Sequence, residues 1–235
     1  MSQFTVIPVL DLKGGVVVHA RGGKRAAYRP LETPFGPADD PLAIARGLLA
    51  TTFSPALYVA DLDAIEGAGN NFEACRDLAD ALPHAALWID AGFSDLGECA
   101  FWLPLGATLV IGSESLATLD DWNDIRTSLG QSVMLSLDFD GGALRGPEGL
   151  LADPAFWPDR MIVMSLARVG SGEGPDLARL TAILAQAGDR EVYAAGGIGN
   201  AGDIARVAEA GARGALAATA LHSGAVTQKE IAALA

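Results

Sequence analysis

The chain has 235 residues, half of them hydrophobic, and a formal net charge of −13. That length and apolar fraction support a sizeable buried core, while the acidity argues against a nucleic-acid-binding surface. The two cysteines, Cys75 and Cys99, form no CxxC pair, so neither a disulfide framework nor a zinc site is indicated, and a reducing, cytoplasmic setting is expected. No apolar run reaches the ~18 residues that span a membrane. The N-terminus has no basic region ahead of its apolar stretch, as a signal peptide would.

The first strand candidate, FTVIPVLD (residues 4–11), stops on Asp11, and a lysine and two glycines follow. Residues 13–29, KGGVVVHARGGKRAAYR, hold Lys13, Arg21, Lys24, Arg25 and Arg29 together with His19, five of the sixteen lysines and arginines. Two readings fit this stretch: a solvated loop, or a mobile basic loop that meets an anionic small molecule. DPLAIARGLLATT (40–52) reads as a helix with Asp40 as N-cap and Pro41 in its first turn. Strand ALYVADLD (56–63), helix NNFEACRDLADAL (70–82), strand ALWIDAG (86–92), helix SDLGECAFWLPLG (94–106), strand TLVIG (108–112) and helix TLDDWNDIRTSLG (118–130) alternate after it. Then come strands VMLSLD (133–138) and MIVMSLA (161–167), helix DLARLTAILAQAG (176–188), strand EVYAAGG (191–197), helix NAGDIARVAEAG (200–211) and strand GALAAT (214–219). The last segment, TQKEIAALA (227–235), opens on a capping box of Thr227 and Glu230. Most strands are continuously apolar rather than alternating, as parallel strands covered on both faces are.

Eight strands alternating with helices predict an α/β fold, a (β/α)8 TIM barrel spanning residues 1–235 as one domain. An open doubly wound sheet is the alternative, but its GxGxxG fingerprint is missing after the first strand. An internal repeat favours the barrel. LDLKGG at the first strand returns as LDFDGG at the fifth, and VADLDAIEGAGNN (59–71) resembles MSLARVGSGEGPD (164–176). DAGFSDL (90–96) likewise resembles AGGIGNA (195–201), and VIGSES (110–115) resembles LAATAL (216–221). The chain therefore reads as two similar half-barrels, each opening on a strand that delivers a carboxylate to the rim. Asp11 and Asp61 lie 50 positions apart, whereas Asp138 and Ser165 lie 27 apart, so the fifth helix, left with LLADPAFWP (150–158), is expected to be short or missing.

In such a barrel the site is built at the C-terminal ends of the strands. Asp11 and Asp138 would face each other across the mouth, where two carboxylates can serve as general base and general acid. Each could instead cap its own loop by accepting backbone N–H groups. Asp61, Asp63, Asp90, Ser165, Gly112 and Ser113 share the same rim. AAGGIGNAGD (194–203) places glycines between a strand and a helix N-terminus, a setting that suits a phosphate. ATALHSG (218–224) adds the hydroxyl of Thr219 beside it. The histidines show no metal-ligand spacing, and neither a metal nor a cofactor is expected.

At this point IPVLDLKGGVVVHARGG, LYVADLDA, VMLSLDFDGG, GSGEGPD, AAGGI and ATALHSG together resemble the histidine-biosynthesis barrels over nearly the whole chain. That family includes the phosphoribosylformimino-aminoimidazole-carboxamide ribotide isomerase (HisA) and the cyclase subunit of imidazole glycerol phosphate synthase (HisF). The opening HARGG…YRP and the segment ADLDAIEGAGNN are most similar to HisA-like proteins of methanogens and methylotrophs. That subgroup implies a place in the biosynthesis of one-carbon carrier cofactors.

The resemblance implies roles. Asp11 would be the base and Asp138 the acid of an Amadori rearrangement, in which an aminoaldose becomes an aminoketose. The phosphate loop would fall on Gly196, Gly197, Ala218 and Thr219, with Gly112 and Ser113 as its counterpart in the first half. Independently of the resemblance, the basic loop would contact the substrate through Lys13, His19, Arg21, Arg25 and Arg29, together with Asp61, Asp63, Asp90, Ser165, Arg168 and Ser171 on the rim. The departures weigh equally. Ser165 and Val169 stand where the isomerase has two aspartates, and Asp90 and Ser94 stand where it has glycine and arginine. These changes imply a retained scaffold and acid–base pair with an altered substrate. The expected partner is a small phosphorylated metabolite, with no nucleic acid, no membrane and no assigned oligomeric state. A phosphate-binding protein without turnover, and a cyclase needing a glutaminase partner, are the competing readings.

Overall fold

The computed structural model describes residues 4–19 and 28–233. Eight parallel strands close into a barrel: β1 (Thr5–Lys13), β3 (Ala56–Asp61), β4 (Ala86–Asp90), β5 (Thr108–Gly112), β6 (Val133–Asp140), β8 (Arg160–Ser165), β9 (Glu191–Ala195) and β10 (Gly214–Ala217). Closure is the parallel pairing of β10 with β1, in which Ile7 lies opposite Leu216. The outer layer holds α1 (Pro41–Thr52), α3 (Phe72–Ala81), α4 (Leu96–Trp102), α5 (Leu119–Leu129), α6 (Leu177–Ala187) and α7 (Ala201–Glu209). Shorter turns, α2 (Leu62–Ile65), α8 (Thr219–His222) and α9 (Gln228–Ala232), complete the helices. The barrel is the expected fold class.

The glycine pairs after Asp11 and Asp138 have a common structural cause. Gly14 and Gly15 have φ of 60° and 78°, and Gly141 and Gly142 have φ of 56° and 90°. Two consecutive positive φ values make the tight two-residue turn of a β-hairpin. The first pair folds β2 (Val16–Val17) back on β1, and the second folds β7 (Ala143–Arg145) back on β6. Each half-barrel therefore opens with a strand, a carboxylate and a hairpin standing on the rim. These two hairpin strands were not foreseen, because runs of two and three residues carry no periodicity.

Other boundaries moved for local reasons. The expected strand 56–63 ends at Asp61, whose side chain accepts the Ala64 N–H and starts α2. The expected helix 94–106 is α4 followed by a 3-10 turn over Leu103–Leu105 that contains Pro104. The fifth helix is reduced to a 3-10 turn, Pro154–Phe156. Trp157 covers that side of the barrel, buried and donating its indole N–H to the Leu150 carbonyl at 2.9 Å. The cap of α1 is Asp40, and the capping box of Thr227 and Glu230 is formed.

Alternate strand positions feed two cores. Ile7, Tyr58, Trp88, Met134, Ile162 and Leu216 point inward, where Trp88 and Tyr193 meet edge to face at 4.9 Å. The opposite parity, including Val6, Leu57, Ile89, Leu135, Val163 and Ala215, packs against the helices. The interior is filled below, so the open space lies at the C-terminal mouth.

Candidate active site

The mouth encloses a cavity of about 400 Å³. Asp11, Asp90 and Asp138 reach it from β1, β4 and β6, and Tyr58 and Glu114 join them. The phenol of Tyr58 donates to Asp90 Oδ2 at 2.9 Å and lies within the fields of Asp90, Asp138 and Asp11. Burial first, then the charge of Asp90, holds its pKa well above the usual 10, so the phenol stays neutral.

Asp138 is 4% exposed. Ser136 Oγ donates to its Oδ1 at 2.6 Å, and the Glu114 N–H donates to its Oδ2 at 3.2 Å. Burial pushes its carboxyl up to about 7; the nearby charge of Asp90 adds to this, and the Ser136 hydrogen bond opposes it. A carboxyl half-protonated near neutrality can give a proton in one step and take it back in the next. Gly112 leaves the room this side chain needs, since a Cβ there would sit 3.1 Å from Asp138 Oδ2.

The opposite wall is the turn between β9 and α7. Gly196 and Gly197 have φ of 90° and 83°. A Cβ on Gly196 would collide with the Ser165 carbonyl, and one on Gly197 with the Gly174 carbonyl. Asn200 caps α7 by accepting the Asp203 N–H, while Asp203 Oδ2 takes the Gly199 N–H at 2.8 Å. Gly197, Ile198 and Thr219 line this wall, and their backbone amides and the Thr219 hydroxyl are the kind of donors a bound anion needs. Thr219 Oγ1 lies 3.4 Å from His19 Nε2. His222, beneath them, donates its Nε2–H to the Val9 carbonyl at 3.2 Å, which leaves Nδ1 as the acceptor for Thr33 Oγ1 at 3.3 Å. Burial lowers its pKa, so it is neutral at neutral pH.

A family model described as "Histidine biosynthesis protein" matches residues 5–152 and 157–227. The chain belongs to this family. It is 30% identical to phosphoribosyl isomerase A of Streptomyces coelicolor, with 98% of each chain covered. It is 29% identical to a phosphoribosyl imidazole-4-carboxamide isomerase of Halobacterium salinarum, covering 95% of this chain and 93% of the relative. An uncharacterized protein of Methanocaldococcus jannaschii is 28% identical over 96% of both chains. Isomerases of the histidine-biosynthesis family are thus full-length relatives.

Within this family scaffold the cavity gathers ten of the residues expected at the site: Asp11, Asp90 and Asp138; Gly112, Gly196 and Gly197; and His19, Ser171, Ala218 and Thr219. Seven others are engaged elsewhere. Lys13 pairs with Glu66 at 2.7 Å, and Arg29 donates to the Tyr28 carbonyl at 3.0 Å. Ser113 Oγ donates to the Arg145 carbonyl at 2.6 Å, and Ser165 backs the Gly196 turn. Arg168 Nη1 donates to the Gly174 carbonyl at 2.8 Å, so it shapes the loop packed on Gly197. Asp61 and Asp63 brace the first hairpin. Asp61 accepts the Asn71 N–H at 2.5 Å and its side-chain amide at 2.7 Å, while Asp63 accepts the Gly14 N–H at 2.5 Å. Arg21 and Arg25, with Lys24, lie outside the described residues.

The cavity is also lined by residues that the sequence does not mark, chiefly Tyr58, Glu114 and His222. Tyr58 is an inward polar group inside an apolar strand, and the one signal for it was its even spacing from Ala60.

Asp61 is fully buried and satisfies three donors. Removing such a group leaves each donor unpaired at ~1–3 kcal/mol. Asp61→Ala is therefore expected to lose ~3 kcal/mol or more of stability in urea denaturation, and unchanged stability would show that the carboxylate does not hold this turn.

Proposed function

We propose that the protein is an acid–base isomerase of the aldose–ketose type acting on a metabolite anchored by one phosphate. The observation that carries this reading is the pairing, in one cavity, of Asp11 with an Asp138 carboxyl whose pKa is about 7. Asp138 gives its proton to the sugar ring oxygen as the aminoaldose opens to an iminium. Asp11 takes the proton from C2, and the resulting enolamine tautomerises to the aminoketose. Every atom is retained, and no external oxidant or co-reactant is needed. The phosphate rests on the Gly197 turn beside Thr219, where backbone amides, the α7 dipole and a hydroxyl converge.

The substrate differs from that of the H. salinarum relative, whose name contains two phosphoribosyl groups. A second phosphate would meet Asp90 and Glu114 on the first-half wall, and among the described residues no lysine or arginine lines the cavity. Two unit charges ~4 Å apart repel by about 4 kcal/mol at an effective dielectric of ~20. The test is a bacterial strain lacking the histidine-pathway isomerase. Ordinary expression of this chain is expected not to restore growth without histidine; full growth would return the protein to the two-phosphate reaction.

A further inference from the structure

Ser136 is the polar residue that precedes Asp138 in the apolar run VMLSLDFD, and the strand period of two puts both on the same face of β6. It is 1% exposed, lies deeper in the barrel than Asp138 and does not line the cavity. Its neighbours in register are Gly112 of β5 and Ile162 of β8, and neither offers a side-chain acceptor. The hydroxyl hydrogen goes to Asp138 Oδ1 at 2.6 Å, the short range of a hydroxyl on an ionised carboxylate. A second buried serine holds the backbone at the same point. The Asp138 N–H donates to Ser113 Oγ at 2.9 Å, and Ser113 passes its own hydrogen to the Arg145 carbonyl at 2.6 Å. The contacts of Asp138 Oδ2 are longer, 3.2 Å to the Glu114 N–H and 3.4 Å to Ser113 Oγ. A donating hydroxyl favours the ionised carboxyl, and burial favours the protonated one, so the two oppose each other here. Without the hydroxyl, a carboxyl this deep would keep its proton through neutrality and would not take part in a cycle that must give the proton up.

We propose that Ser136 is a positioning residue for the acid: it holds Asp138 by Oδ1, keeps the carboxyl able to ionise, and leaves Oδ2 to carry the proton in turnover. This rests on the acid–base reading above and adds to it a residue that acts only through Asp138.

The test needs no substrate. Protein labelled with carbon-13 at the aspartate side-chain carboxyls is titrated by NMR, and the Asp138 signal is the one that Asp138→Asn removes. Ser136→Ala is expected to raise its midpoint by at least ~1 pH unit, as loss of a hydrogen bond to a charged group does. Ser136→Thr keeps the hydroxyl and is expected to stay within ~0.3 unit of the wild type. Asp11, Tyr58, Asp90 and Glu114 share the cavity with Asp138, and Arg145 beside it pairs with Asp140. These charges, and those of Arg21, Lys24 and Arg25, are common to every protein compared. A midpoint unmoved or lowered in Ser136→Ala, or moved equally by alanine and threonine, overturns the proposal. Should the alanine variant not fold, Ser136→Cys, a weaker donor of similar size, gives the same comparison: a smaller rise is expected, and no rise overturns the proposal. The same titration separates the two readings. A wild-type midpoint near the ordinary 3.8 that still rises in Ser136→Ala sinks the buried acid of the isomerase reading and leaves the Ser136–Asp138 coupling in place. A wild-type midpoint of about 7 that Ser136→Ala does not move leaves the isomerase reading and removes Ser136 from it.

Discussion

Asp138→Asn is expected to abolish turnover and, at the same time, to stabilise the fold at neutral pH. The first effect follows from losing the acid: a positioned general acid–base group contributes ~10²–10⁴-fold to rate. The second follows from burial. The Asp138 carboxyl titrates at about 7 in the folded chain against 3.8 for an ordinary aspartate. Below about pH 4 it is protonated in both folded and unfolded chains and costs nothing. Between about pH 4 and 7 the unfolded chain gives up the proton while the folded chain holds it, so stability falls as pH rises. Above about pH 7 the folded chain carries the full cost of a buried charge. Three pH units correspond to ~4 kcal/mol, and water entry reduces this, so a gain of ~1–3 kcal/mol is expected for the variant at pH 8. Asparagine has no such penalty and can keep the contacts, with its oxygen on the Glu114 N–H and its amide on Ser136 Oγ, a hydroxyl able to accept. Urea midpoints of wild type and variant, compared at pH 4.5 and pH 8, give the result. If the gap between them does not widen with pH, the carboxyl is not held protonated by the fold and the acid assignment loses its basis.

Gly197→Ala should be the most damaging small substitution at the site. Gly197 has φ of 83°, which alanine adopts only with strain. Its missing Cβ is also where the Gly174 carbonyl lies, the oxygen that Arg168 Nη1 holds at 2.8 Å. A methyl group must therefore drive the β9–α7 turn away from the segment before α6, which Arg168 tacks in place. Backbone strain of ~1–3 kcal/mol and overpacking of ~1–3 kcal/mol add to a loss of ~3 kcal/mol or more. The same displacement spreads the amides proposed to hold the phosphate, so inorganic phosphate binding should drop at least ~10-fold in the folded variant. Gly224→Ala, also at positive φ but with open space around it, is the control and should lose only the backbone term. Equal losses at the two positions would mean that the close approach to Gly174 carries no energy.

Sequence alone determined the barrel, the half-barrel repeat, the loss of the fifth helix and the aspartate that each half sends to the rim. Apolar strands of five to eight residues alternating with capped helices have few other ways to bury their faces. The repeated aspartate and glycine pair is visible because a two-residue turn of positive φ admits almost nothing but glycine. Which rim side chain faces the cavity was decided only by the tertiary structure. In a strand buried on both faces, inward and outward residues are equally apolar, so the period of two leaves no trace. Once the barrel closes, parity sorts them. Tyr58 and Ala60 face in and Asp61 faces out; Trp88 and Asp90 face in; Met134, Ser136 and Asp138 share one parity, and Met164 faces in while Ser165 faces out. Asp61 and Ser165, which read from the sequence as equals of Asp11 and Asp138, thereby become supports for loops, and Tyr58, which reads as core, becomes part of the wall. Closure also brings His19 to Thr219, 200 positions apart, because β10 must pair with β1 to leave the sheet without an edge.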